Sequence, residues 1–97
     1  MADFELSDLG EGRFSLSGEM TFETADRILR ASKPPFSKYS AVELDCSGVT
    51  EADSAGLALL LEWKSWSRKK QGEIRYSGLP ESIVAIARTT DVESLIC

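Results

Sequence analysis

Ser54 lies in the run Asp53-Ser54-Ala55-Gly56-Leu57, a few residues after the alternating segment Val42-Glu43-Leu44-Asp45-Cys46. A serine hydroxyl placed where a strand gives way to a helix has three uses. It can cap the helix by accepting a backbone N–H bond, for about 1 kcal/mol. It can accept a phosphate, because the dipole and free N–H groups of a helix start favour an anion. It can also stand at the centre of a protein-binding face. Asp53 caps equally well, and if it does so Ser54 is left exposed. Phosphorylation would add about two negative charges beside Asp45 and Asp53, which repels a partner buried against that face.

Covalent catalysis fits these residues poorly. A serine nucleophile needs an adjacent base, and the chain has no histidine. Lys64 is about two and a half helical turns from Ser54. Asp45 and Asp53 have no other oxygen or nitrogen ligands at hand, so turn-building and capping explain them better than a metal or an acid/base pair. Gly10-Glu11-Gly12 lacks the later glycine and lysine of a phosphate loop. The chain therefore reads as a non-enzymatic protein without cofactor or metal.

The elements that must position Ser54 follow from periodicity. Phe4 and Leu6 alternate as an edge strand, Gly10-Glu11-Gly12 turns, and Phe14 and Leu16 share one side of a second strand over residues 13–17. Gly18 is expected to break that strand, and Thr21 to cap a helix carrying Phe22, Ala25, Ile28, Leu29 and Ser32 on its apolar face. Pro34 and Pro35 should forbid its continuation. Val42, Leu44 and Cys46 mark the clearest strand, and a long helix should follow from about Ala55 to Lys70. Ile74 and Tyr76 suggest a short strand. Pro80 opens a third helix with Ile83, Val84, Ile86 and Ala87 inward. Val92, Leu95 and Ile96 should pack a last turn onto the core. The order ββαβαβα implies an α/β fold, with the later strands parallel and helices mainly on one face.

Within the long helix, Leu57, Leu60, Trp63 and Ser67 should face the sheet, flanked by Leu59 and Trp66. Ala58, Glu62, Ser65 and Lys69 make the exposed side, with Leu61 between the two. Ala55, Ala58 and Leu61 then form an apolar surface beside Ser54. A contiguous surface of this kind is either a docking face or a tightly packed helix start. Lys64, Arg68, Lys69 and Lys70 complement the dipole at the helix end.

Composition bounds the rest. Ninety-seven residues form one domain, spanning 1–97. A net charge of −5 argues against nucleic acid and, less strongly, against an anionic membrane. The acidic N-terminal stretch is unlike a signal peptide and no apolar run is long enough to span a bilayer, which points to a cytoplasmic protein. Cys46 continues its strand's apolar alternation as a buried thiol. Cys97 is the last residue, and a disulfide between them is not expected.

Three segments in order, Ser17-Gly18-Glu19-Met20-Thr21, Val42 through Val49, and Asp53-Ser54-Ala55-Gly56-Leu57, resemble the STAS domain, the family of sulphate transporters and anti-sigma factor antagonists. The resemblance covers about Phe4 to Ile96 and implies a mixed four- or five-stranded sheet flanked by helices. Ala58-Leu59-Leu60-Leu61 and Lys69-Lys70-Gln71-Gly72 are most similar to the MlaB group of that family, cytoplasmic subunits of phospholipid ABC transporters. That similarity implies a regulatory or assembly subunit of a system maintaining outer-membrane lipid asymmetry. Its partner would be an MlaF-like ABC ATPase subunit, which would hold it at the inner membrane without insertion of its own. The antagonist branch implies instead that Ser54 is phosphorylated by an anti-sigma factor kinase. Thr21 stands where many relatives have Asp, and Ala55 where Ser or Gly is frequent. The leucine run fits the transporter group better. The expected partner contacts are Asp53, Ser54, Ala55, Gly56, Ala58 and Leu61.

Overall fold

Alternation builds the sheet. Phe14 and Leu16 on one strand, Val42, Leu44 and Cys46 on another, and Ile74 on a third are all buried, while Arg13, Glu43, Asp45 and Arg75 between them are exposed. The computed structural model describes residues 3–97. Its strands are β1 (Phe4–Gly10), β2 (Arg13–Met20), β3 (Ala41–Ala52) and β4 (Glu73–Ser77), side by side in that order. β1 and β2 form an antiparallel hairpin; β2 with β3 and β3 with β4 are parallel. The helices are α1 (Ala25–Phe36), α2 (Ser54–Lys69), α3 (Glu81–Thr89) and the single turn α4 (Glu93–Ile96). The expected mixed sheet thus has four strands, and the order ββαβαβα ends in one further helical turn.

Several boundaries differ from the periodic reading. β2 passes through Gly18, which was expected to end it. Gly18 takes φ +93°, and a Cβ there would lie 2.4 Å from the Asp3 carbonyl, so glycine lets the ladder slip by a residue instead of stopping. β3 continues past Cys46 to Ala52, through an irregularity opposite Ser15 and Ser17. α1 runs through Pro34 and Pro35 to Phe36. Lacking N–H groups, the prolines leave the Arg30 and Ala31 carbonyls without their helical donors, so the last turn is kept by other contacts. Phe36 anchors that turn, with its ring 4.7 Å from Phe14 and 5.5 Å from Trp63. Leu95, expected to pack inward, is 49% exposed, whereas Ile96 is buried.

Thr21 does not cap α1. The helix starts at Ala25, and Thr24 occupies the cap position. Thr21 instead offers its carbonyl to the N–H groups of Thr24 and Ala25, at 3.0 and 2.8 Å. Its N–H donates to the Thr24 hydroxyl at 2.9 Å. Its own buried hydroxyl oxygen has no partner among the described residues. An unsatisfied buried hydroxyl costs more than an apolar group of the same shape. Thr21→Val should therefore raise stability by about 1 kcal/mol and Tm by about 4–8 °C in thermal unfolding.

Cys46 is sealed in the core, and Cys97 is exposed. Burial, reinforced by the charge of Asp45, pushes the Cys46 thiol up to about 12. The same burial raises the Tyr76 phenol, whose hydroxyl donates to the Leu60 carbonyl at 2.6 Å. A thiol that stays neutral in the fold but ionises in the open chain stabilises fully below its ordinary pKa of 9.0 and loses that contribution as pH rises to about 12. The urea midpoint should fall across this window, and fall less in Cys46→Val. At neutral pH iodoacetamide should label the native protein at Cys97 only, with the second label appearing on unfolding.

Candidate docking face at the start of the long helix

One carboxylate organises the site. Asp53 is the N-cap of α2, with extended backbone at φ −135°. Its Oδ1 accepts the Ala55 N–H at 2.9 Å, and its Oδ2 accepts the Phe22 N–H at 3.1 Å. The Asp53 carbonyl accepts the N–H groups of Gly56 and Leu57, at 2.9 and 3.3 Å. Asp53 therefore both starts α2 and ties that start to the turn before α1. Capping is done without Ser54, which is the first residue of α2 and lies exposed.

The other expected contact residues divide. Ala58 is exposed and Ala55 is half-buried, both on the α1 side of α2. Gly56, expected at the surface, is buried: a Cβ there would lie 2.6 Å from the Met20 carbonyl and 3.2 Å from Ile83. Its role is to let the first turn of α2 settle on the end of β2. Leu61, expected between the inward and exposed sides and counted among the contacts, is half-buried and packs against the core. At 100° per residue it points about 90° away from the mean direction of Ala55, Ala58 and Glu62, on the flank beyond Ala58 and outside the groove lining.

What lies beside Ser54 is a groove between α1 and α2 of about 310 Å³. Its apolar lining is Phe22, Ala25, Leu29, Ala55, Ala58 and Leu59, with Asp26 and Glu62 along it. Phe22 is 84% exposed, the most exposed large hydrophobic among the described residues. The periodic reading placed Phe22 on the buried side of α1. The segment Thr21-Phe22-Glu23-Thr24 offers two caps, and choosing Thr24 puts Phe22 in the preceding turn, where Asp53 holds its backbone. That second cap was the signal available.

Elsewhere the surface is ordinary for a solvated sheet. The exposed face carries Arg13, Glu43 and Arg75 in register across three strands. At the free edge, Lys64 donates to the Ile74 carbonyl of β4, and burial lowers its pKa. An edge carbonyl so covered is less available to another strand. Among the described residues no group of three or more His, Cys, Asp or Glu is placed to hold a metal ion. No described helix is long and apolar enough to cross a membrane.

A family model described as Mlab, STAS domain matches residues 6–96. No curated protein sequence is significantly similar to the chain. Among solved structures, the anti-sigma factor antagonist SpoIIAA in its unphosphorylated form aligns with a TM-score of 0.73 at 11% identity, over 97% of this chain and 85% of that one. An anti-sigma factor antagonist from Mycobacterium paratuberculosis aligns with a TM-score of 0.70 at 19% identity, over 96% and 80%. A sulfate transporter family protein from Wolinella succinogenes gives a TM-score of 0.68 at 18% identity, over 96% and 76%. Identities this low establish a shared fold and no more.

Proposed function

The chain belongs to the STAS domain family, and from that premise we propose that it is a non-enzymatic docking subunit of an ABC-type phospholipid transport system. Its partner is the ATPase subunit of that system. The observation that carries this reading is the division of labour at the start of α2. The Asp53 carboxylate takes the Ala55 N–H of α2 and the Phe22 N–H of the turn before α1, leaving the Ser54 hydroxyl exposed beside an apolar groove. Phe22 is exposed along that groove and takes no part in the core. The absence of histidine removes the commonest general base from the chemistry of Ser54.

Such a subunit acts through shape. It stabilises the assembled ATPase, and it favours one nucleotide state only where its contacts differ between states. Association with the inner membrane then comes through the partner. Affinity purification of the tagged chain from its native cell tests this: an ABC ATPase subunit should co-purify in stoichiometric amount, and its absence from a preparation holding another partner would remove the reading.

A second reading is favoured by one observation, the exposure of Ser54 at the first position of a long helix. There a phosphate would meet the positive end of the helix dipole beside the Asp53 carboxylate, as in an anti-sigma factor antagonist regulated by a kinase. Incubation with a cognate kinase and intact-mass measurement separates the two, since only this reading requires mass gain at Ser54.

A further inference from the structure

Carboxylates outnumber cations along the groove between α1 and α2. Asp26 and Glu62 line it, and Glu23 follows Phe22 in the chain. One guanidinium opposes them, Arg30, paired with Asp26 at 2.7 Å in an exposed contact. Among the described residues the ion pairs join Arg27 to Asp3, Arg30 to Asp26, Arg75 to Glu73 and Arg88 to Glu93, so Glu23 and Glu62 are unpaired. The lysines lie toward the other ends of the two helices, as at Lys33, Lys69 and Lys70.

We infer that the occupant of this groove is an amphipathic helix of the partner protein, seating an apolar side chain against Phe22 and Ala58 and placing lysine or arginine beside Asp26 and Glu62. The inference rests on the docking reading above and names the chemistry of the partner's segment. The alanines at positions 25, 55 and 58 let a third helix approach the two that bound the groove. An extended strand would need a sheet edge, which this groove is not. An anionic lipid surface would be repelled by the carboxylates. A phosphate on Ser54 would attract such a helix, so the repulsion expected from the sequence reverses for a partner of this charge.

The test is an NMR titration of the full chain with three synthetic helical peptides of roughly 18 residues, about five turns. One has leucines at i, i+3, i+4 and i+7 with lysine flanks; the second keeps the leucines with glutamate flanks; the third keeps the lysines and replaces leucine by serine. The leucine–lysine peptide should shift the amides of Ala25, Leu29, Ala55 and Ala58, and bind about tenfold or more tightly than the leucine–glutamate peptide, less so at high salt. The serine peptide should produce no localised shift. The double variant Asp26→Lys/Glu62→Lys should reverse the preference. Equal affinity for the two leucine peptides, shifts centred on the open sheet face, no binding at all, or concentration-dependent shifts of the same amides without peptide would each overturn the inference. Failure here with an ATPase still co-purifying leaves the docking reading standing; peptide binding without an ATPase in the native preparation removes that reading instead.

Discussion

Replacing Ala58 with arginine should abolish capture of the ATPase while leaving the fold unchanged. Ala58 is exposed on α2, so the folded chain accommodates a longer side chain by extending it into water. In a complex the same side chain fills the groove, and its charge faces the partner's own cations. Central contacts of this kind are worth about 2 kcal/mol or more, a loss of at least about 30-fold in affinity. Phe22→Ser should act in the same direction by removing the anchor. Because Phe22 is 84% exposed, it contributes little to the monomer. Calorimetric titration against the purified ATPase, with thermal melts of each variant alone, measures both halves. Undiminished affinity for both variants would place the contact elsewhere.

Trp63→Ala should be the most damaging single change to stability. Trp63 is fully buried, its indole N–H donates to the Ser32 hydroxyl at 2.8 Å, and its ring lies between those of Phe36 and Tyr76, at 5.5 and 6.2 Å. Truncation removes the ring and the bond and leaves a cavity that α1, α2 and the sheet cannot all close upon, for about 3–5 kcal/mol. Domains of this size have only about 5–15 kcal/mol in total. The loss corresponds to roughly 15–30 °C in Tm. Trp63→Phe keeps most of the volume and loses the hydrogen bond, so it should cost about 1–2 kcal/mol. A melt of the alanine variant within a few degrees of the parent would show that the centre of the core lies elsewhere.

The inward face of α2 was legible because a 3.6-residue period over sixteen residues leaves little freedom: Leu57, Leu60, Trp63 and Ser67 are all buried, while Ala58, Glu62, Ser65 and Lys69 are exposed. The strands centred on Leu16, Leu44 and Ile74 were legible for the same reason at period two. The ends were not. Where β2 stops depends on whether Gly18 breaks the ladder or shifts it, which neighbouring backbone decides. Where α1 stops depends on how strongly Phe36 is held by Phe14 and Trp63, a contact between residues far apart in the chain. The groove was half legible. Ala55 and Ala58 came from helical spacing, but Phe22, Ala25 and Leu29 join them only because Asp53 bonds the Phe22 backbone across 31 positions of sequence. Gly56 joined the expected contacts by proximity to Ser54, and packing against Met20 turns it inward, while Leu61, placed between the two sides, leans on the core.

The central claim is that the paired starts of α1 and α2 form the surface on which the partner settles. Hydrogen–deuterium exchange of the full chain, alone and with the ATPase subunit, tests it most directly. Protection should rise in residues 21–29 and 53–62, with the open sheet face around Glu43 and Arg75 unchanged. Protection confined to that sheet face, with both helix starts exchanging as they do in the free chain, would contradict the account.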